Sequence, residues 1–242
     1  MNLIIDVGNS YVKFAVFKRG QIVHKSTVEL ANFTKELKML INDFPNIGKA
    51  IVSSVGRLEP SQVKNLRKQF EVLVLDSNVK LPFKNLYATP KTLGVDRMAL
   101  ASASVSQFPD ANVLIIDAGT CITYDFITSQ NEYLGGAISP GMRLRYQALH
   151  NLTANLPLLD TEMPKDLIGN STSRAIHSGV VHGILKEVDG IIGEYQKKYP
   201  DLTVILTGGD ANFLSNQLKN SIFANSNFLL EGLNFILEFN SD

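Results

Sequence analysis

The sequence holds a single cysteine, Cys121, so no disulfide can form within the chain, which fits a reducing compartment. Net charge is lacking too. Lys and Arg total 23 against 23 Asp and Glu, leaving no broad field to drive general nucleic-acid or anionic-membrane binding. No apolar run approaches the roughly 20 residues that span a bilayer, and the opening MNLIIDVGNSYVK meets Asp6 before a signal-like region can form. A cytoplasmic protein that engages neither nucleic acid nor membrane is expected. With 9 prolines, 19% charged residues and 45% hydrophobic ones, the composition excludes a disordered chain. Two nucleotide-loop patterns, G-x-x-x-x-G-K-[ST] and G-x-G-x-x-G, are absent, so any nucleotide site must be built from other turns. The four histidines, at 24, 150, 177 and 182, form no i,i+4 pair and no H-E-x-x-H, which removes the usual zinc patterns.

What is present is a repeat. LIIDVG at 3–8 returns 111 residues later as LIIDAG at 114–119, identical at five of six positions. Around the first copy, β-branched and aromatic residues broken by VGNS and KRGQ predict three strands in hairpins. A helix over 35–44, a buried strand over 49–55, a helix over 60–70, a strand over 71–76 and an Ala-rich helix over 94–108 follow. Then the opening pattern restarts, with three strands from 111 to 138. A long helix over 174–195 has Ser171, Thr172 or Ser173 as its cap, LTVILTGGDANFL supplies a strand, a double glycine and a helix start, and EGLNFILEF forms a terminal helix. The alternation predicts an α/β protein of two similar lobes, 1–110 and 111–242, with the last helix free to pack back on the first lobe. The spacing is far too long for a solenoid repeat.

In DVGNSYVK, an Asp ends a strand and a Gly able to take positive φ begins the turn, followed by Asn9 and Ser10. Backbone N–H groups of such a turn can form a nest for a polyphosphate, Lys13 can add positive charge, and Asp6 can hold hydrated Mg²⁺. An ordinary hairpin turn would look the same. The second copy, DAGTCITYD, shifts the balance toward phosphate binding, with Thr120 in the place of Asn9; Asp125 on the outgoing strand is either part of the site or solvated. In GVDR, Asp96 is either a helix-start acid or the acceptor of a nucleophile's proton. Gly208 and Gly209 would let a flat group such as a base approach the backbone. Cys121 reads as core packing, and Arg143 and Arg145 as a solvated helix face.

Taken in order, DVGNSYVK, GVDR, DAGTCITYD, GGAISPGM, NSTSRAIHSG and LTGGDA resemble type III pantothenate kinases, members of the sugar-kinase and actin-like ATPase superfamily. The likeness covers nearly the whole chain. It implies a duplicated actin-like (ribonuclease H-like) ATPase fold of two lobes with a nucleotide cleft between them, a homodimer, and ATP-dependent phosphorylation of pantothenate to 4′-phosphopantothenate, the first step of coenzyme A synthesis. It also implies roles. Asp6, Val7, Gly8, Asn9, Ser10, Tyr11, Val12 and Lys13 form the first phosphate loop, Thr120 contacts ATP, and Asp96 is the general base. Tyr87, Gly94, Val95, Asp96, Arg97 and Thr172 line the pantothenate site. Asp117 holds a monovalent cation, K⁺ or NH₄⁺, while Mg²⁺ accompanies ATP and meets Asp6 through water. One departure stands out: the family's Asp-x-Gly-Asn-Thr is Asp-Val-Gly-Asn-Ser here, and Ser10 keeps the hydroxyl. A kinase for another small hydroxyl compound, or an inactive nucleotide-binding regulator of the same fold, are the alternatives.

Overall fold

The computed structural model describes residues 1–8, 11–53 and 58–241, so Asn9 and Ser10 of the first loop lie outside the described residues. Two compact units emerge: Met1–Gln107 with the described residues from Asn227 onward, and Phe108–Ser226. In chain order the first unit holds β1 (Asn2–Val7), β2 (Tyr11–Lys18), β3 (Gln21–Glu29), α1 (Phe33–Asp43), β4 (Lys49–Val52), α2 (Pro60–Gln69), β5 (Glu71–Val74), a two-residue β6 (Lys84–Asn85) and α3 (Val95–Gln107). The second holds β7 (Val113–Ala118), β8 (Cys121–Ile127), β9 (Glu132–Pro140), α4 (Met142–Asn151), α5 (Thr172–His177), α6 (Gly183–Lys198), β10 (Thr203–Thr207), α7 (Ala211–Ser215) and β11 (Phe223–Ala224). The last helix, α8 (Phe228–Phe239), belongs to the first unit.

The first unit's sheet runs β3-β2-β1-β4-β5, antiparallel through the meander and parallel from β1 to β5. In the second unit β9-β8-β7-β10-β11 repeats that order and those directions. The alternation of β1 decides what covers each face. Leu3, Ile5 and Val7 pack with Phe33, Leu37 and Leu40 of α1 and Leu66 of α2. Ile4 points the other way, into a cluster with Ala99 of α3 and Leu230, Leu233 and Ile236 of α8. Gly232 lets α3 and α8 approach closely, since a Cβ there would come within 1.9 Å of the Ala99 carbonyl oxygen.

Several expectations need correction. Cys121 is exposed rather than core, because it opens β8 directly after the turn. The helix expected from Arg174 begins at Thr172, where the Ser171 hydroxyl accepts from the Arg174 amide at 3.3 Å. It widens into a π turn over Ser178–His182 before α6 continues to Lys198. The buried strand expected over 49–55 ends at Val52; residues 54 and 55 lie outside the described residues.

Candidate active site

In the first unit, β1 ends at the turn that the phosphate reading singled out. Gly8 N–H donates to the Tyr11 carbonyl at 3.0 Å, closing the hairpin. The glycine serves by its small size rather than by positive φ, for a Cβ at Gly8 would stand 3.1 Å from that same oxygen. Val7 and Val12 are buried in the α1/α2 core, so any phosphate contact they make is through the backbone alone. Tyr11 is exposed. Asp6 and Lys13 are direct cross-strand partners, which sets their side chains on one face, with Lys13 Nζ 3.7 Å from Asp6 Oδ2.

That face also carries a residue the sequence reading passed over. Ser53 follows β4, the parallel neighbour of β1, and is 3% exposed. Its hydroxyl donates to Asp6 Oδ1 at 2.8 Å and accepts from the Val7 amide at 3.2 Å. Lys13, Asp6 and Ser53 therefore form a row across three strands. Ile4 and Ile51 precede Asp6 and Ser53 by two residues, Ala15 follows Lys13 by two on the antiparallel strand, and all three pack in the α3/α8 cluster, so the row lies on that face. Val95, in the first turn of α3, packs against the same cluster.

Asp96 stands beside Val95. Its Oδ1 accepts from the Arg97 amide at 2.8 Å, and Oδ2 takes no hydrogen bond among the described residues. Gly94 makes this fold-back possible, because a Cβ there would lie 2.3 Å from Asp96 Oδ1. Arg97 is buried, with its guanidinium carbon 5.6 Å from the centre of the Tyr87 ring, a cation–π distance that brings Arg97 and Tyr87 together. The Tyr87 amide donates to Asn85 Oδ1 at 3.0 Å, anchoring the segment that presents the ring.

The second unit repeats the row with different chemistry. Asp117 is the penultimate residue of β7, with Thr123 of β8 and Thr207 of β10 as its partners in register. Aligning the two rows puts Thr123 where Lys13 stands and Thr207 where Ser53 stands. The second turn is one residue shorter: Gly119 N–H donates to the Cys121 carbonyl at 3.0 Å, two residues on, whereas Gly8 reaches three residues on. Thr120 alone thus spans the interval of Asn9 and Ser10 together. Thr123 Oγ1 is buried and makes no hydrogen bond among the described residues. An oxygen so placed on the face of a carboxylate is what a bound cation would satisfy.

The glycine turns act mainly on this carboxylate. Gly208 has φ +95°, and a Cβ there would fall 2.4 Å from Asp117 Oδ1 and 2.3 Å from the Ala118 carbonyl oxygen. The protein's own backbone fills the space that was expected to admit a flat ligand at Gly208, while Gly209 faces open space. The Asp210 amide donates to the Ala118 carbonyl at 2.9 Å, and burial raises the Asp210 carboxyl above its ordinary range. Gly141 presses on the turn from the start of α4, donating to the Thr120 carbonyl at 3.0 Å. Thr120 itself is exposed.

Two other expectations change. Asp125 is not solvated: it is fully buried, and the Tyr133 hydroxyl donates to its Oδ1 at 2.6 Å. Arg145 does not belong to a solvated helix face, since it is paired with Glu187, donates to Ser139 Oγ at 3.1 Å and reaches the Pro140 carbonyl. These bonds outweigh desolvation and hold the Glu187 carboxyl below its ordinary range. Thr172 is exposed at the start of α5 and lines a hollow of about 710 Å³ walled by Arg145, Leu149, Leu156, Ile176 and Val180. Neither Asp117 nor Thr120 lines that hollow.

A family model described as type III pantothenate kinase matches residues 2–194. A type III pantothenate kinase of Christiangramia forsetii is 54% identical over 240 residues, covering 99% of each chain. Among solved structures, one assigned by its description to Baf family transcriptional activators, from Campylobacter jejuni, covers 98% of each chain at TM-score 0.65 and 24% identity. A ROK family glucokinase from Streptomyces griseus, solved with glucose and AMPPNP, covers 99% of this chain and 98% of its own at TM-score 0.54 and 12% identity. At those identities the two structures establish the fold alone, an actin-like ATPase and sugar-kinase fold.

Proposed function

The chain belongs to the type III pantothenate kinase family, and from that premise we propose that it transfers the γ-phosphoryl group of ATP to the primary hydroxyl of pantothenate. The product is 4′-phosphopantothenate, and the reaction is the first step of coenzyme A synthesis. What carries the reading, beside the family match, is the row Lys13–Asp6–Ser53 at the mouth of a hairpin turn, on the sheet face that also packs the first turn of α3.

Asp96 is the general base. With Oδ1 held by the Arg97 amide, Oδ2 is left to accept the proton of the pantothenate hydroxyl as its oxygen bonds to the γ-phosphorus and the bond to the ADP oxygen breaks. Arg97, pinned against Tyr87, provides a fixed positive charge suited to the carboxylate of pantothenate. Lys13 offsets phosphate charge, and Asn9 and Ser10 belong to the same loop by sequence, while the Val7 and Gly8 amides are committed to the Ser53 hydroxyl and the Tyr11 carbonyl. When bound, Mg²⁺ neutralises charge on the phosphate oxygens. A single carboxylate with one oxygen committed to Ser53 suits a hydrated, nucleotide-borne Mg²⁺, and no cluster of three or more His, Cys, Asp or Glu is found among the described residues.

In the second unit, Thr120 contacts ATP, and Asp117 binds K⁺ or NH₄⁺, with the buried Thr123 hydroxyl supporting that assignment. Thr172 contacts pantothenate. A homodimer completes the proposal, favoured by the exposed apolar side chains Leu152, Leu167 and Ile168 of the second unit. No described helix is long and apolar enough to cross a membrane. A cytoplasmic location is part of the proposal, supported by the reaction's place in coenzyme A synthesis.

A coupled ADP-release assay with Mg²⁺ and K⁺ tests the reaction, using pantothenate, glucose, glycerol or no acceptor. Turnover is expected with pantothenate only. No pantothenate-dependent ADP release would overturn the reading, and faster turnover of glucose or glycerol would reassign the acceptor. The two strand-end carboxylates should differ in role. Asp6→Asn is expected to raise the Mg²⁺ requirement, and Asp117→Asn the K⁺ requirement, each by about 10-fold or more. Identical ion profiles for both variants would show that the labour is not divided this way.

A further inference from the structure

Ser53 is a hydroxyl buried at the end of a strand, where an apolar residue would continue the pattern of Ala50, Ile51 and Val52. Its amide donates to the Ile5 carbonyl at 2.9 Å, extending the β1–β4 ladder one step beyond the strand and fixing the backbone beside Asp6. A hydroxyl has one proton to give. Because the Val7 amide donates to Ser53 Oγ, that proton is directed to Asp6 Oδ1, and the rotor is held from both sides. Lys13 touches the other carboxylate oxygen only at 3.7 Å and is half exposed, so it restrains Asp6 weakly. The orientation of Asp6 therefore depends on Ser53. The same hydroxyl also ties the carboxylate to the backbone leading into the phosphate turn.

We propose that Ser53 is a positioning residue of the kinase, setting the Asp6 carboxylate for the hydrated Mg²⁺ that ATP carries, a role that rests on the reaction proposed above. Mg²⁺ demands near-ideal octahedral geometry, so a carboxylate that receives its waters must be held in one rotamer. The second unit places a hydroxyl, Thr207, at the register-equivalent station beside Asp117, also 3% exposed. A hydroxyl on the parallel neighbour strand is thus common to both strand-end carboxylates.

The test compares wild type with Ser53→Ala, Ser53→Thr, Asp6→Asn and the double variant Asp6→Asn/Ser53→Ala. ATP binding is measured by calorimetry without pantothenate, once with Mg²⁺ and once with a chelator, and the Mg²⁺ dependence of turnover is measured separately. Ser53→Ala is expected to weaken ATP binding in Mg²⁺ about 10-fold and to raise the half-saturating Mg²⁺ by a similar factor, leaving Mg²⁺-free binding within about 2-fold. Ser53→Thr should restore both to within about 3-fold. In the Asp6→Asn background, Ser53→Ala should add less than about 2-fold. A merely structural serine would lower the melting temperature without moving the Mg²⁺ profile. Unchanged Mg²⁺ dependence in Ser53→Ala, or a loss that persists undiminished without the Asp6 carboxylate, overturns the proposal. Should Ser53→Ala fail to fold, Ser53→Cys keeps the shape with a far weaker donor and is judged by the same readouts. Wild type that binds Mg²⁺-ATP but ignores pantothenate would sink the acceptor reading while leaving the calorimetric test of Ser53 intact.

Discussion

Asp96→Asn is expected to lower kcat by roughly 10² to 10⁴, the range for loss of a general base, with the melting temperature close to that of wild type. The reasons lie in the first turn of α3. The side-chain amide oxygen of asparagine can still accept from the Arg97 amide at the 2.8 Å site, so the fold-back over Gly94 survives. What disappears is an oxygen able to take a proton from the attacking hydroxyl. Because the loss falls on the chemical step, KM for ATP should stay within about threefold and the burden should appear in kcat. Rapid-quench turnover with saturating ATP and pantothenate separates the two. A variant that keeps more than about a tenth of wild-type kcat would remove Asp96 from the proton transfer. Its place at the helix start would then be the ordinary preference for an acid in a first turn.

Gly208→Ala should lower stability markedly and should carry a functional signature with it. Any L side chain is strained at φ +95°, at a cost of about 1–2 kcal/mol, and the new Cβ would press on Asp117 Oδ1 and the Ala118 carbonyl, adding about 1–3 kcal/mol of overpacking. A total near 3 kcal/mol corresponds to a fall in melting temperature of roughly 6–12 °C for a chain of this size. The displaced atoms belong to the carboxylate assigned to the monovalent cation and to the strand end that receives the Asp210 amide. Half-saturating K⁺ should therefore rise along with the loss of stability. Gly209→Ala is the control, since nothing lies within 4 Å of a Cβ there and its melting temperature should move little. If Gly208→Ala melts within about 2 °C of wild type, the close packing around Asp117 does not restrain it.

Much of the architecture is legible in the sequence. The repeated LIID segments end as strands at the two turns, and the alternation of Leu3, Ile4 and Ile5 between two apolar clusters is what a strand covered on both faces requires. The π turn at Ser178–His182 had no sequence signal, because apolar spacing looks much the same on either side of one widened turn. Asp125 was ambiguous since a carboxylate in a strand reads as solvated unless its partner is known, and that partner, Tyr133, sits on the next strand. Ser53 was legible only in part. Setting KAIVSS beside NLIIDV shows a polar residue ending each strand, but the offset that aligns them is set by sheet register.

The sequence by itself determined the local facts: two Asp-bearing strand ends, the glycine turns behind them, an acid at the start of an Ala-rich helix, and a family likeness carried by their order. These depend on residue type and near-neighbour spacing, which a linear chain records directly. Only the tertiary structure decided which residues became neighbours. It put Ser53 against Asp6 across 47 positions of chain, gave the second turn one residue fewer so that Thr123 rather than Tyr124 faces Asp117, and gathered α8 into the first unit beside α3. Register between strands and the docking of a distant helix are settled by burial and hydrogen bonding over the whole sheet, so no short window of sequence contains them.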